Sequence, residues 1–486
     1  MAQRLGLVMC VLGACLGLAG CGGGAIRRPE DPSGSPRGPV ALEGTLSNRF
    51  VAAGQTGSLK ARLVIRARDV SQGDRRPPIN LALVVDTSGS MEGRAIEDAR
   101  AASLALLGML SPGDRLSVVT FGSRTEVLVP SSPLKRRGIA AVRERIGAMR
   151  AEGTTDLEGG LQAGLQQVMA HFDQNGINRV VLLSDGVPNE AGNLEGLAAA
   201  AGQRGIPVIA LGLGIEYDEI LLGRIAQLSG GRFHYVEESS RVAGVFRDEV
   251  LRLQRVIARD GTLTVVPGPG VAIEAVIGQQ TTPNGRGVTL SLGELADGDE
   301  RELVVQLVTP ERHAGSAVEL FDAVVTFQDA LADGARLEQR IFLGARATSD
   351  EQELTSGRNE EVERAAARLQ AAVATVEAIS LAREGQVEAA LRALDEGVAL
   401  IRGREAGYGG SYGDDFAFQA EAMEDLRDAL PQLDRSGHRA APPAVSEPAP
   451  VAAASEGAPS AEEAERRARR AHGQALDALL SQKSVS

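Results

Sequence analysis

The segment INLALVVDTSGS, at Ile79–Ser90, has the most informative pattern in the sequence. Its first part, INLALVV, is an almost unbroken apolar run that ends at Asp86, and the hydroxyl-rich turn TSGS follows it. An apolar run without alternation is typical of a strand that is buried on both faces, as in a parallel sheet covered by helices. The stretch therefore predicts a central strand with a polar loop at its carboxyl end.

Outward from this strand, apolar runs alternate with amphipathic segments of helix length. This alternation is typical of βαβ units, and it predicts an α/β domain over residues 79–257 with a doubly wound, mostly parallel sheet. The predicted strands are 79–85, 115–121, 125–129, 179–184, 207–213 and 232–236, and the predicted helices are 94–110, 138–149, 157–172, 194–204, 218–228 and 240–257.

Two further polar segments fall where this pattern places loops. GTTD, at 153–156, opens a helix, and Ser184-Asp185-Gly186 ends a strand. Because the carboxyl ends of parallel strands meet at one edge of a sheet, we expect Asp86 and Asp185 to converge there. Carboxylate and hydroxyl oxygens without Cys or His favour a hard cation, Mg²⁺ or Mn²⁺. An incomplete ligand shell would leave one coordination position open for an incoming carboxylate.

These three segments, in this order and spacing, resemble the von Willebrand factor type A domain and its metal-ion-dependent adhesion site. The resemblance implies a Rossmann-like fold and a protein partner whose acidic side chain completes the metal shell. It also implies a ligand set, with Thr155 chosen over Thr154 because of its distance from Gly160. The implied metal ligands are Asp86, Ser88, Ser90, Thr155 and Asp185.

Strand-like segments flank the α/β domain on both sides. Residues 258–346 contain runs such as TLTVV and ELVVQLV separated by turn residues, which predicts an antiparallel β-domain resembling a sandwich. We expect the strands within 40–78 to join it, so that the α/β domain is inserted into one split β-domain.

The last part of the chain is expected to be helical. Residues 358–433 keep a heptad spacing of apolar side chains and predict a helical hairpin that packs on the β-domain, rather than a repeat array. Residues 434–486 contain a Pro- and Ala-rich disordered linker, with a possible terminal helix at 461–482.

The first 39 residues predict export and anchoring. Residues 1–20 have a signal peptide's short basic start and apolar core, and Leu18-Ala19-Gly20-Cys21 resembles the bacterial lipobox. The resemblance implies cleavage before Cys21 and its acylation, with 21–39 as a flexible tether. An ordinary secretory signal or an uncleaved anchor is the alternative. Gly22 after the cysteine resembles outer-membrane sorting in a diderm bacterium, so we expect a lipid-anchored protein of the cell envelope.

Composition excludes several classes of function. Lys+Arg 51 against Asp+Glu 64 gives a net charge of -13, which disfavours a nucleic-acid partner. Lysine occurs only at 60, 135 and 483, and none of these completes a P-loop. A phosphatase of the haloacid dehalogenase type would need a carboxylate where Ser88 stands, and no His begins an H-E-x-x-H run.

The sequence therefore predicts a membrane-anchored binding protein that is not an enzyme and that holds a protein partner through a divalent cation. The alternative is an envelope scaffold, in which the helical tail recruits partners and the metal only stabilises the loops. A hydrolase without a known motif is the third and least supported hypothesis.

Overall fold

The computed structural model describes residues 38–68, 76–188, 192–214, 217–332, 334–405, 413–433, 460–480 and 483–484. The predicted signal peptide, Cys21 and nearly all of the tether lie outside these residues. So does most of the predicted linker, at 434–459.

Three strands open the described chain: β1 (Val40–Leu46), β2 (Phe50–Ala52) and β3 (Gly57–Ala67). β1 and β3 pair antiparallel along their length. Alternate apolar residues of β3, among them Leu59, Leu63 and Ile65, enter one hydrophobic core. This period of two is the pattern that makes the segment a strand with one face in a core.

The α/β domain follows, and its sheet is the doubly wound, mostly parallel one that the sequence predicts. The strand order is β6-β5-β4-β7-β8-β9, with every pair parallel except β5–β6. The α/β fold class is thereby confirmed. Its elements are β4 (Ile79–Asp86), α1 (Arg94–Met109), β5 (Arg115–Phe121), β6 (Thr125–Pro133), α2 (Ile139–Gly147), α3 (Leu157–Met169), β7 (Ile177–Ser184), α4 (Leu194–Gln203), β8 (Val208–Leu213), α5 (Glu219–Ser229), β9 (Phe233–Val236) and α6 (Val242–Leu253).

Helices cover both faces of this sheet, and this explains the unbroken apolar run of β4. Leu81 and Leu83 face the core that α1 and α6 close, whereas Ala82 and Val84 face the core that α3 and α5 close. Every residue of β4 is buried. Because β4 lies in the middle of the sheet, its carboxyl end sits beside that of β7.

The predicted helix 240–257 is wrong at its end. α6 stops at Leu253, and Val256 already begins the next strand. Val256 is buried in the α/β core, whereas Ile257 belongs to the core of the β-domain. The chain passes from one core to the other at these two residues, which an extended backbone allows because successive side chains point to opposite faces.

Seven strands build the rest of the β-domain, which begins at Val256 and ends at Thr348 rather than at the predicted 258 and 346. Two sheets enclose its core, in the orders β1-β3-β14-β11 and β12-β13-β10-β15-β16-β2. The strands are β10 (Val256–Pro267), β11 (Ala272–Val276), β12 (Thr282–Asn284), β13 (Gly287–Ala296), β14 (Asp299–Thr309), β15 (Ala317–Asp329) and β16 (Arg336–Thr348).

The N-terminal strands complete both sheets of this domain. β3 pairs antiparallel with β14; Gly57 lies opposite Thr309 at one end of the pair, and Arg66 lies opposite Glu300 at the other. β2 pairs with the end of β16, and this pair is parallel, which departs from the antiparallel domain that the sequence predicts. The α/β domain thus lies between two parts of a single β-domain, since it occupies the chain between β3 and β10.

The C-terminal part contains α7 (Glu351–Ser356), α8 (Glu360–Arg383), α9 (Val387–Glu405), α10 (Gly413–Ala429), α11 (Ala461–Leu480) and β17 (Lys483–Ser484). α7 precedes the predicted helical region. α8 and α9 form a hairpin, and α11 packs on α8 and α10. By length and composition, α8 is the one helix of the described segments that could cross a membrane, but more than half of that stretch is buried in the protein.

α11 also packs on the α/β domain. Leu476 enters the core of α3, α4 and α5, and a Cβ on Gly223 of α5 would lie 3.1 Å from the ring of His472. The guanidinium of Arg469 lies 4.4 Å from the centre of the Tyr217 ring. The last described helix is therefore part of the folded body, and the sequence showed only that it could be a helix.

Charged side chains are buried in this contact. Arg469 donates a hydrogen bond to Glu219 at the first residue of α5, and Arg383 of α8 donates to the same carboxylate over 2.9 Å. Arg383 also forms two hydrogen bonds with Glu465. Burial by itself raises the pKa of Glu219, but Arg469 and Arg383 outweigh it and hold the pKa below its ordinary value.

His472 makes this contact sensitive to acid. Burial lowers the pKa of His472 to about 4; Glu219 opposes the shift and Arg469 adds to it. Between the unfolded pKa of 6.5 and this value the unfolded chain binds a proton that the folded chain does not. The free energy of unfolding is therefore unaffected by His472 above pH 6.5. It decreases as the pH falls to 4, by about 3 kcal/mol in total, because protonation of His472 favours the unfolded chain.

We expect His472→Leu to remove this part of the pH dependence, because leucine fills the space without titrating. Urea unfolding at intervals from pH 7.5 to pH 4 measures it, as the difference between wild type and variant. Parallel curves for the two proteins would contradict a neutral, buried His472.

Candidate metal site

Asp86 is the last residue of β4, where the carboxyl ends of the parallel strands lie side by side, and it is fully buried. One carboxylate oxygen, Oδ1, accepts a hydrogen bond of 2.8 Å from the amide of Ser88. The other, Oδ2, accepts one of 2.8 Å from the hydroxyl of Ser184. The carboxylate is thus fixed in orientation by its own turn and by the neighbouring strand.

The hydroxyls of the TSGS turn continue from Asp86 to Asp185. The Ser88 and Ser90 Oγ atoms lie 2.9 Å apart, and Ser90 Oγ donates to Asp185 Oδ1 over 2.7 Å. Asp185 follows β7, which pairs with β4 in parallel register. The convergence of two strand ends that the sequence predicts is therefore what the structure shows for these four residues.

Thr155 reaches the same place from the loop before α3. A Cβ on Gly186 would lie 3.1 Å from Thr155 Oγ1 and 3.5 Å from Ser90 Oγ, so both hydroxyls surround this glycine. Backbone hydrogen bonds hold the loop against the TSGS turn, from the Gly89 amide to the Gly153 carbonyl and from the Glu152 amide to the Thr87 carbonyl. A side chain at 186 would crowd the hydroxyls.

The two threonines of this loop differ in environment. Thr155 is buried, whereas Thr154 is exposed and its amide donates to Ser123 Oγ over 3.0 Å. Asp156 is occupied as the N-cap of α3, where it accepts from the Gly159 amide. The five predicted residues therefore lie together, and their neighbours Thr154 and Asp156 have other partners.

Sequence reasoning missed Ser184. Its hydroxyl is fully buried between the two strand ends and orients Asp86 from the side opposite the TSGS turn. The strand register indicates this residue: Val85 pairs with Leu183, so the next residues, Asp86 and Ser184, must also be adjacent. A register prediction for β4 and β7 would have found this residue.

The donor set is rich in oxygen and poor in positive charge. Burial raises the pKa of Asp86, and the hydrogen bonds from Ser88 and Ser184 offset this only in part. No Lys or Arg of the described segments forms an ion pair with Asp86. Two carboxylates and three hydroxyls are a set that Mg²⁺ or Mn²⁺ accepts, so the residues present fit a hard divalent cation.

The sequence of this region matches the family model described as the von Willebrand factor type A domain, over residues 80–248. The match spans β4 to α6 and includes all five residues of the cluster. Residues 80–248 are a von Willebrand factor type A domain.

The relatives of the chain differ in how much of it they share. An uncharacterized protein of Synechocystis sp. is 29% identical over 293 residues, which cover 57% of this chain and 69% of that protein. The uncharacterized protein YfbK of Escherichia coli is 29% identical, over 40% of this chain and 35% of its own length. The match to inter-alpha-trypsin inhibitor heavy chain H1 of Mesocricetus auratus, 32% identical, covers 23% of this chain and 13% of that protein.

Solved structures extend the likeness beyond the type A domain. A von Willebrand factor type A protein from Catenulispora acidiphila has a TM-score of 0.64 at 19% identity, over 82% of this chain and 91% of that one. The ArnB paralog VWA2 from Sulfolobus acidocaldarius has a TM-score of 0.54 at 16% identity, over 80% and 94%. Both show the same fold.

Proposed function

We propose that this chain is a lipid-anchored protein of the bacterial cell envelope that acts by binding rather than by catalysis. Its type A domain holds a divalent cation, Mg²⁺ or Mn²⁺, and through it a protein partner. The single observation that carries the proposal is the convergence of Asp86, Ser88, Ser90, Thr155 and Asp185 at one edge of the sheet.

The charges of the site support a role in binding an acidic group. Two carboxylates at most neutralise a divalent cation, and hydroxyl ligands add no negative charge. A cation held in this way remains attractive to a further carboxylate. Domains of this family commonly mediate protein–protein interactions, which agrees with a partner whose Asp or Glu side chain completes the shell.

Bound Mn²⁺ offers a test that needs no identified partner. We expect the full chain with Mn²⁺ to enhance the relaxation of water protons, because a water occupies the open position. A short acidic peptide should then lower this enhancement, whereas its amide counterpart should not. Mn²⁺ binding that the acidic peptide leaves unchanged would support the scaffold hypothesis, in which the metal only stabilises the loops.

Deleting the helical tail, residues 358–433, would not test the scaffold hypothesis cleanly. Val362 and Leu369 of α8 are buried, and Leu369 shares a cluster with Val304 of β14, so removing 358–433 would open that core. Substitutions at exposed positions, such as Leu400→Ser on α9, test the tail without this damage. Capture of an envelope protein that is lost with such a variant and kept in EDTA would favour the scaffold.

The membrane anchor is tested at Cys21. Because the lipid would be attached to this side chain, we expect Cys21→Ser to move the protein from the membrane fraction to the soluble fraction of its host. Cys15→Ser is the matched control. Because Cys15 would be removed with the signal peptide, this variant should remain in the membrane fraction. Full membrane retention of Cys21→Ser would refute lipid anchoring at this residue.

A further inference from the structure

β16 leaves most of one edge unpaired. β15 covers its other side from Arg336 to Arg346, but β2 covers only Arg346–Thr348. In the part of the chain that the structure describes, no strand pairs with residues 336–345 on this side. A strand edge of this length exposes a row of backbone donors and acceptors, which is a template for another strand.

The register identifies which residues present these groups. The Arg346 amide donates to Arg49, on the β2 side, whereas the Ala347 amide donates to Ser316, on the β15 side. Backbone groups alternate in direction along a regular strand. The N–H and C=O groups of Arg336, Glu338, Arg340 and Phe342 therefore point to the open edge.

The side chains of these residues are exposed on the outer face of the sheet. Phe342 keeps 56% of its surface exposed, which is the largest value among the large apolar residues of the described segments. On the inner face, Leu337 and Ile341 are only partly buried where they pack against the sandwich core. These two side chains already pack beside Gly38 and Gly44, because β1 lies against β16. The outer face, with Phe342, carries the apolar surface that a neighbouring strand would cover.

We propose that this edge binds the same edge of a second copy of the chain, antiparallel, with Gln339 at the two-fold axis. In this register Glu338 of one copy lies opposite Arg340 of the other, and the same pair recurs across the axis. Arg336 lies opposite Phe342, and Leu337 opposite Ile341. Directly opposed residues of an antiparallel pair share a face, so opposite charges meet and a guanidinium lies beside an aromatic ring.

The charge order also disfavours a neighbouring register. A shift that brings Arg340 opposite Arg340 places Glu338 opposite Phe342, which sets like charges together and leaves the carboxylate without a partner. No ion pair within the described segments involves Glu338 or Arg340, so the pairing would not displace one. The second copy would join two sheets of six strands each into one continuous sheet.

Charge exchange between two variants tests this arrangement. Glu338→Arg places Arg opposite Arg in a homodimer, and Arg340→Glu places Glu opposite Glu. We expect each variant of the full chain to dissociate at least tenfold more readily than wild type in sedimentation equilibrium with a density-matched detergent. An equimolar mixture should form a heterodimer, because every Arg then faces a Glu. Glu319→Arg, on the outer face of β15, is the control and should dimerise like wild type.

The proposal fails if wild type is monomeric at high micromolar concentration, or if both variants dimerise as well as wild type. It also fails if the mixture stays monomeric while each variant keeps its unfolding temperature. A mixture that restores the dimer fixes both the partner and the register. None of these outcomes depends on the metal site, so they test the dimer independently of the function proposed above.

Discussion

Asp86→Ala and Thr155→Ala are expected to abolish the stabilisation of the protein by Mg²⁺ or Mn²⁺. A ligand that binds only the folded chain stabilises it by RT ln(1 + [L]/Kd), which is about 2.7 kcal/mol at a hundredfold excess over Kd. Asp86 supplies charge at the centre of the site, and Thr155 supplies a hydroxyl from a third segment of the chain. Thermal unfolding with increasing metal should show the shift in wild type and almost none in either variant.

Thr154→Ala is the matched control for this experiment. It removes a threonine hydroxyl from the neighbouring residue. Thr154 is exposed, and its amide donates to Ser123. It should keep the full shift, and all four proteins should fold in EDTA, as circular dichroism would show. Equal shifts in wild type and Asp86→Ala would mean that the cation binds elsewhere.

Glu219→Gln is expected to destabilise the folded chain by about 3–5 kcal/mol, the usual cost of removing one partner from a buried ion pair. Glu219 and Arg469 are almost completely buried, and Arg383 shares the same carboxylate. The neutral amide would remove the anion that Arg469 and Arg383 share in this largely buried contact, and Glu465 would have to offset more of their positive charge. Urea unfolding at pH 7.5 measures the loss.

Glu195→Gln provides the comparison, because its partner Arg224 lies on the same helix α5 and the pair is about half exposed. Exposed pairs contribute at most about 1 kcal/mol, so this variant should remain close to wild type. A similar small effect for Glu219→Gln would show that α11 does not depend on the buried pair for its attachment.

Local sequence pattern is sufficient to predict the α/β domain and most of its site. An apolar run such as Ile79–Val85 has few alternatives to a strand covered on both faces, and its alternation with helices requires a parallel sheet. Because parallel strands end at one edge, Asp86 and Asp185 are expected at the same edge of the sheet. These inferences need only local pattern and one rule of sheet geometry, and they hold wherever the rest of the chain lies.

Features that depend on contacts between distant parts of the chain could not be predicted in this way. Ser184 joins the site through the register of β4 with β7, and α6 ends early because Val256 and Ile257 belong to different cores. Arg469 meets Glu219 across 250 positions, and no pattern near either residue indicates the other. A buried charge is tolerated only where an opposite charge is brought to it, and that neighbour is supplied by packing, whose energy depends on separation in space and not on separation in sequence.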